Sequence, residues 1–377
     1  DVALTEGTII YRNPLFELIQ YTPKTEKTYP EPVLIIPAWI MKYYILDLSP
    51  ANSMVRYLVE QGHTVFMISW KNPDARYREV DFTDYLKEGA LKALEAAQEI
   101  TGHKVHAVGY CIGGTLLAML AAYLANKKRD SLATITLFAA QTDFIDAGGL
   151  MTFIDEAQLT YLEDVMFSQG YLRGDQVSAA FELLQPRELI WHRMMEEYLM
   201  GDRAKAFDLM AWDKDATRLP YRMHSQYLRS LYLHNSLAEG EYVVDGHALE
   251  LSDIDRPMFV VSTEKDHIAP WKSVYKIHHL TETEITFALA NKGHNGGIIS
   301  EPGHEGRAFR LAVRKRGGHT LLPDKWMKQQ EARPGSWWVA WHSWLAAHSS
   351  AQAAPPPMGG KAYPPLADAP GQYVHEH

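Results

Sequence analysis

Short apolar runs alternate with a helical pattern along the first third of the chain. Four continuous apolar runs have the length and composition of strands buried on both faces of a parallel sheet: 33–37, 64–69, 104–110 and 133–138. Between the second and third runs, residues 84–100 place apolar side chains on one helical face, with Thr83 as the predicted N-cap and Gly102 just beyond the end. This alternation predicts a doubly wound, mostly parallel α/β sheet.

The pattern changes after residue 138. From 143 to 250 it is helical and aromatic with no convincing strand, and apolar runs at 257–262 and 284–290 then resume the sheet. We therefore predict a core built from 1–142 and 251–350, interrupted by a mainly helical cap at 143–250. The Pro- and Gly-rich tail at 351–377 is predicted to be irregular and to lie on the surface.

The third apolar run leads directly into a candidate nucleophile. Gly109-Tyr110-Cys111-Ile112-Gly113 joins this run to an apolar helix that is predicted to begin at Thr115. This is the layout of the nucleophile elbow G-x-S-x-G of the α/β-hydrolase fold, with cysteine in place of serine. Such a turn directs the helix N-terminus at the reacting oxygen and favours a thiolate. The alternative is that Cys111 is a buried apolar cysteine without chemistry.

The elbow predicts two partners in a fixed chain order, an acid and then a histidine, each after a late strand. Asp266 follows the apolar run at 257–262, and His294 lies in a glycine-bracketed loop after 284–290. Order and strand context together predict a Cys111–His294–Asp266 triad. His267 is a competing base, although its neighbour Asp266 could not easily turn to orient it.

Composition limits the classes of function that remain. The net charge of -9 and the lack of a basic face argue against nucleic acid as the main partner. A single cysteine excludes an internal disulfide. His278 and His279 lack the ligand set of a metal site and are interpreted as packing or surface residues. The longest apolar run, Leu116 to Ala125, is too short to cross a bilayer, and no signal peptide opens the sequence.

The first residue is Asp1 rather than methionine, so we expect that an N-terminal domain of a longer protein is absent from this sequence.

Several blocks of the sequence together resemble one enzyme family. The chain is similar to the catalytic domain of polyhydroxyalkanoate synthases, of the class that works with one type of subunit. The blocks that carry the resemblance are "GYCIGGT" (109–115), "IMKYYILDLSPANSMVRYLVEQGHTVFMISWKNPD" (40–74), "AWDKDATRLP" (211–220), "TEKDHIAPW" (263–271) and "GSWWVAWHSWL" (335–345). Ala38 and Met41 depart from the P-P-W-I-N-K-Y-Y form, and "GHNGGII" departs from G-H-I-A-G-V. These departures concern the subgroup and its substrate range.

The resemblance implies a role for each candidate residue. Cys111 would carry the acyl group, His294 would be the base and Asp266 its partner. The substrate would be (R)-3-hydroxyacyl-coenzyme A, and the product a polyester such as polyhydroxybutyrate, with release of coenzyme A. No cofactor or metal is implied, because coenzyme A is part of the substrate. We predict oxyanion donors at the N–H of Ile112 and in the loop at Trp39 and Ile40.

A cysteine suits this reaction because exchange of one thioester for another costs little free energy. The acyl-enzyme then retains its driving force for transfer to a hydroxyl, whereas a serine would lose it at loading. Transfer to a hydroxyl competes with hydrolysis, so closure of the cap is expected to exclude water and shield Cys111.

The cap carries a group of adaptable apolar side chains. Seven of the 14 methionines fall there: Met151, Met166, Met194, Met195, Met200, Met210 and Met223. One interpretation is that these methionines form the core of the cap. The other is that a minority of them line a substrate path or a dimer contact. We expect a homodimer formed partly through the cap and a cytoplasmic enzyme at the surface of polyester granules.

Two other functions remain open at this stage. Dienelactone hydrolases also carry G-x-C-x-G-G, and thioesterases share the fold, but a compact hydrolase would not need this cap. The second is a non-catalytic granule-surface or scaffold protein, against which an intact triad argues.

Overall fold

One large mixed sheet organises the chain. The computed structural model describes residues 2–177, 208–209 and 211–377. Its eleven-stranded sheet has the order β14-β13-β12-β11-β6-β5-β3-β4-β2-β1-β15. The described strands are β1 (Gly7–Arg12), β2 (Phe16–Tyr21), β3 (Tyr29–Ile36), β4 (His63–Trp70), β5 (Val105–Tyr110), β6 (Leu132–Phe138), β7 (Tyr171–Leu172), β8 (Leu219–Pro220), β9 (Val243–Val244), β10 (His247–Ala248), β11 (Met258–Thr263), β12 (Ile285–Ala290), β13 (Ala308–Arg314), β14 (Arg333–Pro334) and β15 (Ala367–Asp368).

Helices cover both faces of this sheet. The described α-helices are α1 (Met54–Glu60), α2 (Phe82–Asp84), α3 (Lys92–Thr101), α4 (Ile112–Asn126), α5 (Glu156–Gln169), α6 (Tyr221–Gln226), α7 (Trp271–Tyr275), α8 (Ile277–Leu280), α9 (Pro323–Gln329) and α10 (Trp337–Ala347). Two described stretches are π-helical, Tyr85–Leu91 and Tyr227–Leu233. The 3₁₀ turns are Tyr43–Asp47, Ala75–Tyr77, Gly149–Phe153, Leu251–Asp253 and Tyr373–His375.

The six central strands confirm the predicted parallel sheet. β4, β3, β5, β6, β11 and β12 pair in parallel, and each of the six apolar runs lies in one of them. Residues of β5 and β11 are buried throughout, as expected for strands covered on both faces. The carboxyl ends of these strands meet at one edge, which is where ligands bind in such sheets.

Antiparallel strands extend the sheet on both sides, which the apolar pattern did not reveal. β2, β1 and β15 follow β4 on one side, and β13 and β14 follow β12 on the other. β2 contains Glu17 and Gln20, both fully buried. Both have partners in the tail, because Gln20 Nε2 donates to the carbonyl of Pro357 at 2.9 Å and Glu17 accepts from the N–H of Tyr373.

Most residues of the tail are exposed or half-buried, but the tail also joins the fold. Residues 351–377 are mostly irregular, but β15 pairs with β1 and Val374 is buried. The tail supplies hydrogen bonds to the buried Gln20 and adds to those of Glu17, which also accepts from Arg12 in β1 at 2.7 Å.

The helix predicted at 84–100 begins earlier than expected. Asp81, not Thr83, is the N-cap: its side chain accepts from the N–H of Asp84, and Asp84 returns a bond to the N–H of Asp81. Thr83 lies within the first turn. The predicted end is confirmed, since Gly102 is left-handed with φ 71°. The helix predicted from Thr115 likewise begins earlier, at Ile112.

Between β6 and β11 the described residues contain α5, α6 and a π-helical turn, in agreement with a mainly helical insertion. The expected absence of strands is wrong in two places, because β7 pairs with β8 and β9 with β10. Each ladder has only two residues per strand, too short to produce a sequence pattern. Met166 and Met223 are fully buried packing residues; Met194, Met195, Met200 and Met210 lie outside the described residues.

Candidate active site

Cys111 lies at the corner between β5 and α4, at the carboxyl edge of the parallel sheet. Its backbone has φ 53° and ψ -125°, a region that L-residues rarely adopt. The corner is held by its N–H, which donates to Phe138 in β6 at 2.8 Å, and by its carbonyl, which accepts from Gly114 at 2.9 Å. Cys111 is half-buried. The strained, fixed turn is the geometry of a nucleophile elbow.

The glycines of the elbow are required by close backbone approach. A Cβ on Gly113 would lie 2.2 Å from the carbonyl oxygen of Ile36, at the end of β3. A Cβ on Gly109 would lie 2.4 Å from the Cα of Gly114. Both distances are impossible for real side chains, so any other residue would push α4 away from the sheet. The first turn of α4 is thereby placed against the loop that follows β3.

The structure brings Asp266 and His294 together as predicted. The imidazole Nδ1 of His294 lies 2.7 Å from Oδ2 of Asp266, and both side chains are buried. The other carboxylate oxygen, Oδ1, accepts from the N–H groups of Ile268 at 2.9 Å and Ala269 at 2.8 Å. Thr263 also donates to Oδ2 at 3.2 Å. These bonds fix the carboxylate of Asp266 with its Oδ2 directed at His294.

The electrostatics of His294 favour a charged imidazole. Burial alone lowers its pKa, but the charges of Asp266 and Cys111, and hydrogen bonds to both, raise it to about 10. Because Nδ1 is bonded to Asp266, the hydrogen bond with Cys111 must involve Nε2. An imidazolium between a carboxylate and a sulfur can give its Nε2 proton to a leaving group, and the neutral ring that remains can accept a proton from a hydroxyl.

A tyrosine and an asparagine support the histidine loop from the other side. Tyr110 donates its hydroxyl to Oδ1 of Asn295 at 2.6 Å. Its ring is stacked on that of His294, with centroids 5.6 Å apart. Tyr110 is buried. The residue before Cys111 and the residue after His294 are thus joined directly, which fixes the two loops relative to each other.

The predicted oxyanion donors lie around the elbow. Ile112 is the first residue of α4, where an N–H has no acceptor within its own helix. Trp39 and Ile40 follow β3, whose last residue contacts Gly113. The ring of Trp39 is fully buried among aromatic residues, with its centroid 4.6 Å from that of Tyr85.

Two tyrosines from the predicted cap form a buried pair that interacts electrostatically with Cys111. The hydroxyls of Tyr227 and Tyr232 are 3.4 Å apart and buried. Burial, the neighbouring Tyr232 and the Cys111 sulfur raise the pKa of Tyr227 far above its ordinary value. Burial, together with Cys111 and Asp266, also raises the pKa of Tyr232. Both phenols therefore remain neutral.

The remaining histidines named from the sequence lie outside this constellation. The carboxylate of Asp266 is bonded to His294, and His267 is half-exposed beside it. His278 is buried, bonded to the carbonyl of Tyr275 at 2.9 Å and stacked on its ring, whereas His279 is exposed. The packing and surface interpretation of His278 and His279 is confirmed.

Sequence reasoning missed three residues of the site. Tyr110 and Asn295 are the sequence neighbours of Cys111 and His294, but nothing in the sequence predicts the hydrogen bond between them. Thr217 belongs to the block "AWDKDATRLP", which carried a resemblance but no assigned role. It bonds to the loop at Trp39 and Ile40.

Family models match most of the chain. Residues 1–58 match a model described as "Poly-beta-hydroxybutyrate polymerase (PhaC) N-terminus". Residues 31–300 match the alpha/beta hydrolase fold, which agrees with the predicted fold class. In the part of the chain that the structure describes, no helix combines the length and hydropathy needed to cross a bilayer.

Curated relatives align along the full chain. It is 41% identical over 377 residues to the poly(3-hydroxyalkanoate) polymerase subunit PhaC of Rhizobium etli, covering 100% of this chain and 59% of that protein. It is 42% identical over 376 residues to the poly(3-hydroxyalkanoate) polymerase of Methylorubrum extorquens, covering 99% and 62%. It is 31% identical over 379 residues to poly(3-hydroxyalkanoate) polymerase 1 of Ectopseudomonas oleovorans, covering 100% and 67%. The chain thus spans about three fifths to two thirds of the length of these relatives.

Proposed function

Since this chain belongs to the poly(3-hydroxyalkanoate) polymerase family, we propose that it polymerises (R)-3-hydroxyacyl units from their coenzyme A thioesters into a polyester. Coenzyme A is released at each addition. One observation carries the proposal: a cysteine on a strained elbow faces a buried histidine whose Nδ1 lies 2.7 Å from a fixed carboxylate. Nucleophile, base and orienting acid are the three groups that acyl transfer requires.

Loading begins with attack of the Cys111 sulfur on the thioester carbonyl carbon. The proton of the thiol is held on Nε2 of His294 during the attack, and the carbonyl π electrons move to oxygen. The N–H of Ile112 and a second N–H from the loop at Trp39 and Ile40 stabilise that oxyanion. Collapse of the intermediate breaks the bond to coenzyme A, and its sulfur takes the proton from His294. One thioester replaces another at little free-energy cost.

Elongation uses the same residues with an alcohol as the attacking group. His294 accepts the proton of the 3-hydroxyl that terminates a growing chain or a second acyl unit. The alkoxide oxygen attacks the acyl carbon on Cys111, an oxyester forms, and the bond to sulfur breaks. The thiolate that leaves recovers the proton from His294. Asp266 retains the imidazole in the orientation needed for both transfers.

Water competes with the hydroxyl at the elongation step. Tyr227 and Tyr232 of the predicted cap are buried and interact electrostatically with Cys111, which supports a cap that closes over the acyl group. The cap opens to admit coenzyme A, a large charged ligand. We further propose a homodimer formed partly through the cap, a cytoplasmic location at the surface of polyester granules, and a reaction that needs no cofactor or metal.

The test supplies (R)-3-hydroxybutyryl-coenzyme A to the purified chain and measures both free coenzyme A and the acyl product. Polymer together with stoichiometric coenzyme A is expected. Cys111→Ala should abolish both while retaining the unfolding midpoint, and Cys111→Ser should be severely impaired because its oxyester intermediate is poorly matched to elongation. Accumulation of free 3-hydroxybutyrate instead of polymer would indicate a hydrolase. No coenzyme A release at all would indicate a non-catalytic protein.

A further inference from the structure

Thr217 connects the end of the cap to the loop after β3. Its side-chain hydroxyl donates to the carbonyl oxygen of Trp39, and its N–H donates to the carbonyl oxygen of Ile40 at 3.1 Å. Thr217 is fully buried. Both donors therefore act on consecutive peptide groups of the same loop.

The segment that carries Thr217 follows this loop closely. Met41 and Ala216 form an antiparallel bridge. Trp212 Nε1 donates to the carbonyl of Lys42 at 2.7 Å, and the Tyr44 hydroxyl donates to Asp215 at 2.9 Å. These bonds fix residues 212–217 along residues 39–44. The backbone that carries Thr217 is therefore held against the loop by several neighbouring contacts.

A fixed carbonyl also fixes the N–H on the other side of the same peptide. The carbonyl of Trp39 and the N–H of Ile40 belong to one trans peptide group and point in opposite directions. Among the described residues, the N–H of Ile40 has no hydrogen-bond acceptor. Its loop begins beside the first turn of α4, because Gly113 lies against the carbonyls of Ile36 and Pro37. A carbonyl that accepts a hydrogen bond also makes its own peptide N–H a stronger donor.

From this juxtaposition we propose that Thr217 is a positioning residue of the oxyanion hole. Its hydroxyl holds the peptide between Trp39 and Ile40 so that the Ile40 N–H is directed at the oxygen that develops charge when the Cys111 sulfur attacks. The inference rests on the proposed function in one respect, that Cys111 is the nucleophile. It holds whether the acyl group is then transferred to a hydroxyl or to water. This inference assigns a role to the block "AWDKDATRLP" (211–220).

The variant that tests this role is Thr217→Val, which removes the hydroxyl and retains the shape and the backbone N–H. Thr217→Ser restores the hydroxyl, and Thr217→Ala provides a second variant if valine impairs folding. Thr283→Val is the matched control. Thr283 is also buried and donates its hydroxyl to a backbone carbonyl, that of Arg256 at 2.8 Å. It precedes β12 and so lies at the sheet edge opposite Cys111.

Two inhibitors separate transition-state from ground-state binding in the 377-residue chain. A trifluoromethyl ketone bearing the substrate's acyl chain accepts the Cys111 sulfur at its carbonyl carbon. The thiol proton moves to His294 and an oxyanion remains. A coenzyme A thioether cannot be attacked. Thr217→Val should weaken ketone binding and lower kcat by about 10- to 100-fold, less than loss of a whole oxyanion donor, with thioether binding and KM unchanged. Thr217→Ser and Thr283→Val should resemble wild type.

Equal ketone binding by Thr217→Val and wild type would overturn the inference. Equal weakening of ketone and thioether binding would also overturn it, because it would indicate a general structural role. A wild-type chain that binds the ketone through Cys111 but produces free acid would contradict the proposed polymerase function alone, and the comparison of Thr217 variants would remain valid.

Discussion

Replacing Asp266 by asparagine should invert the hydrogen bonding of His294. Oδ1 of Asp266 accepts two backbone N–H groups, at 2.9 and 2.8 Å, so the asparagine carbonyl oxygen must occupy that position. Its amide nitrogen then takes the place of Oδ2, which lies 2.7 Å from Nδ1 of His294. An amide N–H can only donate, so Nδ1 becomes the acceptor and the ring proton moves to Nε2. A protonated Nε2 on a neutral ring cannot accept the thiol proton.

The size of the effect follows from geometry and charge together. Burial is the largest influence on the pKa of His294 and lowers it, so removal of the carboxylate should bring that pKa well below about 10. In a serine triad the same tautomer inversion lowers kcat about 10⁴-fold, or about 5 kcal/mol of barrier. A thiol ionises more readily than a hydroxyl, so we expect a fall in kcat of about 10²- to 10⁴-fold for Asp266→Asn.

The assay is coenzyme A release at saturating substrate, with urea unfolding measured in parallel. Asp47→Asn is the matched control: Asp47 is also buried, and its Oδ1 accepts from Ser53 at 2.6 Å, but it lies outside the candidate site. That variant should lose stability and retain kcat. An Asp266→Asn chain that folds and keeps kcat within about threefold of wild type would refute the assignment of Asp266 as the orienting acid.

Three further predictions concern the surroundings of the triad. Tyr110→Phe removes the 2.6 Å bond to Asn295 but retains the ring on His294, so it should cost about 1 kcal/mol in urea unfolding and lower kcat severalfold; an unchanged kcat would mean that the bond does not position His294. The pKa of His294 is raised from 6.5 to about 10 in the folded state, so its contribution of at most about 5 kcal/mol should be complete below pH 6.5 and lost as pH rises to 10. Unfolding free energies of wild type and His294→Gln that vary identically over this range would contradict it. Cap amides in 143–177 and 211–250 should exchange faster than those of β5 and β6 and slow down with a non-hydrolysable substrate analogue; core-like protection in both states would exclude a gating cap.

The parts of the fold that the sequence predicts correctly are those whose signals are local. Strands covered on both faces are mostly apolar, so β4, β5 and β11 are visible as runs. The elbow is visible because Gly109 and Gly113 have no room for a Cβ. The order of acid and histidine then follows from the position of each loop after a strand.

The parts that the sequence does not predict depend on distant partners. β2 is buried yet contains Glu17 and Gln20, and both bond to tail residues more than 330 positions away. Those polar side chains remove the apolar pattern, and the tail that satisfies them has no pattern of its own. The identity of Thr217 likewise predicts nothing by itself, since the role proposed for it depends on the carbonyl of Trp39, 178 residues earlier. At the helix start, Asp81 and Thr83 are both acceptable caps, and only the reciprocal bond with Asp84 selects the first.

The most direct test of the account is to trap the acyl group on Cys111. Butyryl-coenzyme A lacks the 3-hydroxyl, so it can load the enzyme but cannot serve as the next acceptor. Since the sequence contains a single cysteine, peptide mass spectrometry after a brief incubation assigns a thioester adduct without ambiguity. We predict one butyryl group on the peptide that contains Cys111, sensitive to hydroxylamine and absent from Cys111→Ala. Release of coenzyme A with no adduct on Cys111, or undiminished release by Cys111→Ala, would contradict the covalent mechanism.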